Sequence, residues 1–245
     1  SKNEDPYIWA KKYVEELNKQ EKENKRNITL EKSPSTIISL NKQKLFNIGY
    51  IFLEKLYYDL KLNETCKKVS DKYRIKYDLN KILQDLIYTR IIEPCSKLSS
   101  FEVAKKFIEQ PNYEIHDIYR ALEVISEETD FIESEVYKNS LNVINRNSKI
   151  LYYDCTNYFF EIEQAEGLKQ YGKSKEHRQS PIVQMGLFMD GNGIPLAFNI
   201  TSGNTNEQTT LKPLEEQIIR DFEMSKFVVC TDAGLASIDN RKFNN

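Results

Sequence analysis

The stretch KILYYDCT, residues 149–156, decides how the second half of the chain is interpreted. Its apolar and aromatic run is typical of a β-strand, and Asp154 closes that run. The segment FVVCTD, residues 227–232, has the same form and ends at Asp232. A polar residue just past an apolar strand lies at the carboxyl edge of an α/β sheet, where ligands bind. If the two strands are parallel neighbours, the two carboxylates converge.

Two roles are open for this pair of aspartates. Carboxylate oxygens at one sheet edge are suitable ligands for Mg²⁺ or Mn²⁺. Alternatively, each aspartate caps a loop or a helix, and the spacing alone favours this structural role. The residues around the pair therefore have to be considered before a function is chosen.

The remaining segments after residue 149 predict a mixed α/β sheet with helical cover. Residues 182–189 and 194–200 are strand-like, and the turn sequence DGNG, residues 190–193, joins them as a hairpin. Residues 207–221 have a helical pattern, and the strand at residues 227–230 follows. The order strand, hairpin, helix, strand indicates one sheet covered by a helix.

The first part of the chain, residues 1–148, is predicted to be mainly helical. Apolar residues recur at helical spacing within residues 43–60, 79–87 and 118–144. Asp78 is a candidate N-cap, and Ser99 with Glu102 forms a candidate capping box. One of the eight glycines precedes residue 150 and seven follow it. We therefore place a boundary between a helical region, 1–148, and a sheet region, 149–245.

Composition excludes several classes of protein. The chain has 245 residues, 40% of them hydrophobic, and a formal net charge of −2. No apolar run approaches the roughly 20 residues that span a bilayer, so we expect a cytoplasmic protein with no membrane partner. The four cysteines lie far apart without a C-x-x-C pair, which argues against a disulfide framework or a structural zinc site.

A basic cluster and a polar turn lie between the two aspartates. The sequence GLKQYGKSKEHR, residues 167–178, contains cations that can hold a phosphodiester backbone. The alternative is a solvated loop, which the interleaved glutamates favour. The turn SGNTN, residues 202–206, offers Asn204 or Asn206 as the N-cap of the following helix.

Three segments, taken together, carry a resemblance to a known family. They are YYDCTNYFFEIE (152–163), the stretch from SKEHR to GNTNE (174–207) and VVCTDAGLAS (228–237). In this order they resemble the DDE transposases of bacterial insertion sequences, in the superfamily founded on insertion sequence four. The resemblance implies an RNase H-like catalytic domain in which Asp154, within a D-x-T signature, and Asp232 bind two Mg²⁺ or Mn²⁺ ions.

The same resemblance assigns roles to other residues and partners. It favours DNA contacts for the basic cluster and supporting roles for two polar residues; these residues are Lys173, Lys175, His177 and Arg178, then Thr156 and Asn204. It implies metal-dependent cleavage and strand transfer of double-stranded DNA at terminal inverted repeats, joining to target DNA, and self-association on DNA. Residues 1–148 are then expected to bind the element ends, in a bacterial, nucleoid-associated protein.

One departure from the family pattern limits this expectation. The third family ligand is a glutamate in a Y-x-x-R-x-x-x-E-x-x-x-K setting, which the sequence lacks, since it stops 13 residues after Asp232. We therefore expect a partial RNase H-like sheet, truncated after the second aspartate, with impaired or absent activity. The alternative function is a non-catalytic remnant that binds DNA or full-length transposase.

Overall fold

The structure is a computed structural model that describes residues 8–9, 11–15, 45–175, 177, 179–224, 226–235 and 237–243. Residues 8–9 and 11–15 are helical and belong to a first compact unit, residues 1–45. Residues 46–245 form a second compact unit, which contains every element discussed below. No described helix is long and apolar enough to cross a membrane. The four cysteines have free thiols, as their spacing predicts.

Between residues 46 and 149 the structure describes six helices, as the sequence predicts for this region. They are α1 (Ile51–Asp59), α2 (Leu62–Tyr73), α3 (Leu79–Ile92), α4 (Lys97–Ala104), α5 (Ile115–Glu127) and α6 (Thr129–Ser140). Four strands, one 3₁₀ helix and two further α-helices follow in the described residues. They are β1 (Ile150–Phe159), β2 (Ile182–Asp190), β3 (Pro195–Ser202), a short 3₁₀ helix (Glu207–Thr209), α7 (Leu211–Asp221), β4 (Val228–Thr231) and α8 (Ile238–Phe243).

The strands form one mixed sheet in the order β3-β2-β1-β4. Strand β2 is antiparallel to both β1 and β3, and β4 is parallel to β1. This topology confirms the predicted mixed α/β sheet and the hairpin through residues 190–193. It also confirms helical cover, because α7 contributes Leu214 and Ile218 to the core that contains Leu151 and Phe188.

The two faces of the sheet differ in exposure. On β1, Leu151, Tyr153 and Cys155 are buried, whereas Tyr152 and Asp154 between them are exposed. On β4, Val228 is 62% exposed on the same side as Asp154. The described helices thus cover the face opposite Asp154, and the Asp154 face is open within the described residues.

Side-chain caps start α3 and α4, and two helix starts predicted from the sequence are corrected. Asp78 caps α3, since its Oδ1 accepts a hydrogen bond from the Lys81 N–H at 2.9 Å. The predicted capping box at Ser99 is wrong: α4 begins earlier, and Ser96 Oγ accepts the Ser99 N–H at 3.2 Å. The helical pattern over residues 43–60 also starts too early. Asn47 instead donates its backbone N–H to the Lys106 carbonyl, which draws that segment out of the helix.

A buried ion pair joins the end of the helical region to the hairpin. Arg146 Nε lies 2.7 Å from Asp190 Oδ2, and both side chains are almost fully buried. Arg146 also donates to Ser140 Oγ at 3.0 Å and to the Ile194 carbonyl at 3.0 Å. Burial acts to raise the pKa of Asp190, but hydrogen bonds from Arg146 and from hairpin backbone N–H groups outweigh it and lower the pKa.

A second link joins α6 to the edge strand β3. Glu133 Oε1 accepts the backbone N–H of Phe198 at 3.1 Å, and Oε2 lies 3.4 Å from Nε2 of Gln217 on α7. Burial raises the pKa of Glu133 to about 7, although both hydrogen bonds oppose that rise. A carboxyl group whose pKa is higher in the folded state is more easily ionised in the unfolded chain. It therefore makes folding less favourable as the pH rises from about 4.5 to 7.

We predict that Glu133→Gln raises the melting temperature at pH 8 relative to wild type and gives a smaller or no gain at pH 5. The amide keeps an acceptor for the Phe198 N–H and removes the charge that burial disfavours. Thermal unfolding of both proteins between pH 5 and 8 measures this difference. The control is Glu64→Gln at an exposed position on α2, which measures the effect of removing one surface charge alone. An equal change at both pH values would contradict the prediction.

Candidate metal and DNA site at the sheet edge

The two sequence-predicted aspartates lie side by side where β1 and β4 pair. The parallel register matches Tyr152 with Cys230 and Tyr153 with Thr231. Asp154 is the next residue on β1 and Asp232 is the first residue past the end of β4, so continuing the register by one step would bring their backbones opposite each other at a typical strand spacing of about 4.8 Å. Both residues are exposed. The prediction that the two strands are parallel neighbours is confirmed. The prediction that Asp154 closes its strand is wrong, because β1 continues to Phe159 and Asp154 lies in its middle, just beyond the stretch that pairs with β4.

The buried residues on each side of Asp154 fix the direction in which it points. Tyr153 Oη lies 2.6 Å from Thr210 Oγ1, and Cys155 Sγ lies 3.4 Å from both oxygens. Because side chains alternate along a strand, anchoring Tyr153 and Cys155 in the core turns Asp154 outward. Asp154 Oδ1 also accepts the Cys155 N–H at 2.8 Å, which orients the carboxylate.

Asp232 is held by the loop that follows β4. Its Oδ1 accepts the Leu235 N–H at 3.0 Å, which is the loop-capping role that the spacing favoured. Gln208 Nε2 donates to the Gly234 carbonyl at 2.9 Å, so the 3₁₀ helix fixes the same loop. Asn240 on α8 donates to the carbonyls of Leu235 and Gln208 at 2.8 and 3.0 Å. A carboxylate oriented by neighbouring groups is also suited to act as a ligand.

One lysine of the basic cluster reaches the aspartate pair. Lys175 Nζ lies 3.6 Å from Asp154 Oδ1 and also contacts the Cys155 carbonyl oxygen. Asn157 on β1 contacts the backbone of the loop through its side-chain amide. Its Oδ1 accepts the backbone N–H of Lys175 at 3.4 Å, and its Nδ2 donates to the Lys173 carbonyl at 3.5 Å. Asn157 is not among the site residues predicted from the sequence. The signal that could have found it is an amide three residues after Asp154 in a strand otherwise rich in aromatic residues.

The other members of the cluster are placed less closely. Lys173 and His177 are exposed in the same loop, and the His177 N–H donates to the Ser174 carbonyl at 3.1 Å. His177 has a φ of 56°, an uncommon conformation for a residue with a side chain. Arg178 lies outside the described residues. The structure therefore brings Lys175 to Asp154 and leaves Lys173 and His177 facing solvent.

The two predicted supporting residues differ in position. Thr156 is half-buried, lies two residues after Asp154 on the same side of β1, and is paired with Met185 of β2. Asn204 is exposed, and its Oδ1 accepts a hydrogen bond from Ser202 Oγ at 2.7 Å. Of the two candidate caps, Asn206 is the one that caps, since its Oδ1 accepts the Gln208 N–H at 3.1 Å.

Two glycines in close contact fix the base of the basic loop. A methyl group added at Gly172 would overlap the carbonyl oxygen of Gly203, and one added at Gly203 would overlap the carbonyl oxygens of Ile182 and Gln170. The loop therefore lies directly on the turn that precedes the 3₁₀ helix. This contact connects the Lys173–Lys175 segment to the polar turn that the sequence analysis treated separately.

The protein supplies few ligands at this edge. Within the described residues, no group of three or more His, Cys, Asp or Glu side chains is arranged to hold a metal ion. Mg²⁺ commonly keeps several waters and is held by one or two carboxylates together with substrate phosphates. The chemistry of Asp154 and Asp232 fits that mode of binding, in which a nucleic acid supplies the remaining oxygens.

Comparison with known proteins adds no relative to this picture. No protein-family model, no curated protein and no solved structure matches the chain. The interpretation of the site therefore depends on its geometry and on the three sequence motifs that meet there.

We predict that Gly172→Ala lowers the free energy of unfolding by about 1–3 kcal/mol, because the added methyl group meets backbone that cannot move aside alone. Chemical denaturation measures this loss. The matched control is Gly234→Ala, where the methyl group would make ordinary van der Waals contacts with Asp232. Equal stabilities of the two variants would show that the Gly172–Gly203 contact is looser than the structure describes.

Proposed function

We propose that the chain is a DDE transposase that carries out metal-dependent cleavage and strand transfer of double-stranded DNA. The observation that carries this proposal is the parallel pairing of β1 with β4, because Asp154 and Asp232 directly follow its last paired residues, Tyr153 and Thr231. Lys175 Nζ lies 3.6 Å from Asp154 Oδ1. This contact between the first two segments of the sequence resemblance, and the register that leads from β4 into the third, support the proposal.

The arrangement of the sheet supports an RNase H-like domain. The resemblance implies a first aspartate on the first strand and a second one after the fourth strand. In the order β3-β2-β1-β4, the first and fourth strands are neighbours although two strands and a helix separate them along the chain. This topology brings together the two positions that such a domain uses.

Asp154 and Asp232 would hold Mg²⁺ or Mn²⁺, which when bound activates a water or a DNA 3′-hydroxyl and stabilises the leaving oxygen. The chain itself orients the two carboxylates through backbone N–H groups and presents Lys173 and Lys175 to the phosphodiester backbone. No covalent protein nucleophile is needed. Terminal repeats and target DNA are the proposed substrates, with residues 1–148 binding the element ends and copies of the chain associating on DNA.

The acidic average of the chain is compatible with this substrate. Residues 150–245 contain nine basic and thirteen acidic residues, but two of the acidic ones are the proposed metal ligands. A bound divalent ion neutralises that pair, and a local basic loop can attract DNA on a protein with a net negative charge.

A second function, a non-catalytic protein that binds DNA or transposase subunits, is favoured by one observation. No group of three potential ligands is found among the described residues, so the aspartate pair by itself holds a second ion poorly. Incubation of the chain with Mn²⁺ and a terminal-repeat duplex separates the two functions. Nicking that Asp154→Asn abolishes identifies the enzyme, whereas binding without nicking identifies the non-catalytic protein.

We predict that Asp154→Asn and Asp232→Asn each weaken Mn²⁺ binding about tenfold or more in the presence of a DNA duplex, because each removes a direct ligand. The electron paramagnetic resonance signal of free Mn²⁺ measures the binding. The control is Asp221→Asn at the far end of α7, which removes the same charge from a residue paired with Arg220. Equal binding by all three variants and wild type would remove the metal site from the proposal.

We predict that Lys173→Gln lowers affinity for duplex DNA and reduces the slope of log K against log salt by about 0.9, the value for one phosphate contact. Fluorescence anisotropy titrations between 50 and 200 mM salt, about the range over which such contacts are lost, measure the slope. The control is the exposed Lys226, which precedes β4 at the end opposite Asp232. If Lys226→Gln and Lys173→Gln have the same effect, the basic loop is not the specific contact.

A further inference from the structure

The ammonium group of Lys175 occupies a place where a metal ion would be expected to bind. It contacts two oxygens, Asp154 Oδ1 at 3.6 Å and the Cys155 carbonyl. Carboxylate and carbonyl oxygens are the ligands that hard divalent cations prefer. The lysine therefore acts as a cation already present at Asp154.

The backbone of Lys175 is held by the loop, while its side chain is about half exposed and contacts Asp154 and the Cys155 carbonyl through the ammonium group. The Asn157 side chain bonds the backbone of Lys173 and of Lys175, and the close contact of Gly172 with Gly203 holds the start of the same loop. By contrast, the side chains of Lys175 and Asp154 are 48% and 67% exposed. An ion pair this exposed is weak, and the lysine stem has several rotatable bonds, so the ammonium group can leave Asp154 at little cost.

A lysine and a divalent ion oppose each other at this carboxylate. Two cations within a few ångströms repel each other, so metal binding to Asp154 and the Asp154–Lys175 contact are mutually unfavourable. A DNA phosphate near the site changes this balance, because it offers the displaced ammonium group a new anionic partner.

We propose that Lys175 is a positioning residue that competes with the divalent ion for Asp154 and releases Asp154 when it binds a DNA phosphate. This inference rests on the proposed function, since it assumes metal binding at Asp154. It adds a coupling between the two ligands: DNA draws Lys175 away and favours the metal, and the metal expels Lys175 and favours DNA. Such coupling is reciprocal, so each ligand raises the affinity of the other by the same factor.

The test measures Mn²⁺ affinity without DNA in wild type, Lys175→Met and Lys175→Arg, again from the resonance signal of free Mn²⁺. Lys175→Met removes the charge but keeps the length of the stem, and we expect it to bind Mn²⁺ about threefold to fivefold more tightly than wild type. Lys175→Arg keeps the charge and should bind as wild type does. Lys226→Met is the control, because this exposed lysine precedes β4 at the end opposite Asp232, and it should also bind as wild type does.

A second measurement tests the coupling itself. Adding a duplex should raise Mn²⁺ affinity in wild type by a larger factor than in Lys175→Met, since the variant has no competing ammonium group to release. Far-UV circular dichroism checks folding, and Lys175→Gln repeats the measurement if the methionine variant does not fold.

The outcomes separate this inference from the proposed function. If Lys175→Met binds Mn²⁺ as weakly as wild type or more weakly, while Asp154→Asn still lowers binding, the competition is overturned and the metal site stands. If neither wild type nor any lysine variant binds Mn²⁺ with or without DNA, both the inference and the proposed function fail. Tighter binding by Lys175→Met, with the smaller DNA effect, supports the inference.

Discussion

The parallel pairing of β1 with β4 is the constraint on which the arrangement of the site depends. Parallel strands cannot be joined by a tight turn, so the chain between β3 and β4 must cross the sheet. It does so through the 3₁₀ helix and α7, whose apolar residues join the core on one face. The same crossing returns the chain beside β1 in the register that sets Asp232 next to Asp154. The core and the site are thus two consequences of one connection.

The register of β1 matters as much as its neighbours. Tyr153 and Cys155 share a buried polar contact with Thr210, the residue that precedes α7. A slip of one residue would turn Asp154 into the core and move both anchors to solvent. The contact with Thr210 therefore links the direction of Asp154 to the start of the helix that covers the sheet. Two further links, Arg146 with Asp190 and Glu133 with Phe198, fasten the helical region to the hairpin and the edge strand.

Local features were predictable from the sequence because they depend on nearby residues. The hairpin follows from the turn sequence DGNG, and α3 begins where Asp78 can accept a backbone N–H. The start of α4 was not predictable from the Ser99–Glu102 pattern, because Ser96 offers the same cap three residues earlier. Two contacts could not be predicted from the spacing of residues, because each joins segments that only the folded chain brings together. They are the Gly172–Gly203 contact and the hydrogen bonds of the Asn157 side chain to the basic loop. The strand order could not be predicted from the sequence either, and it determines whether the strands that lead to the two aspartates are neighbours.

Charge at the sheet edge indicates why metal and nucleic acid would act together under the proposed function. Asp154 and Asp232 carry two negative charges, and Lys175 supplies one positive charge beside them. Two carboxylates leave most of the coordination sphere of a divalent ion to water, and phosphate oxygens are the natural replacement. A phosphate brings a further negative charge, which the displaced lysine can balance. Within the described residues the helices cover the opposite face, so under the proposed function DNA would approach these residues from the open face of the sheet. Each ligand then supplies the charge that the other requires, so affinity for either one alone understates the strength of the assembled site.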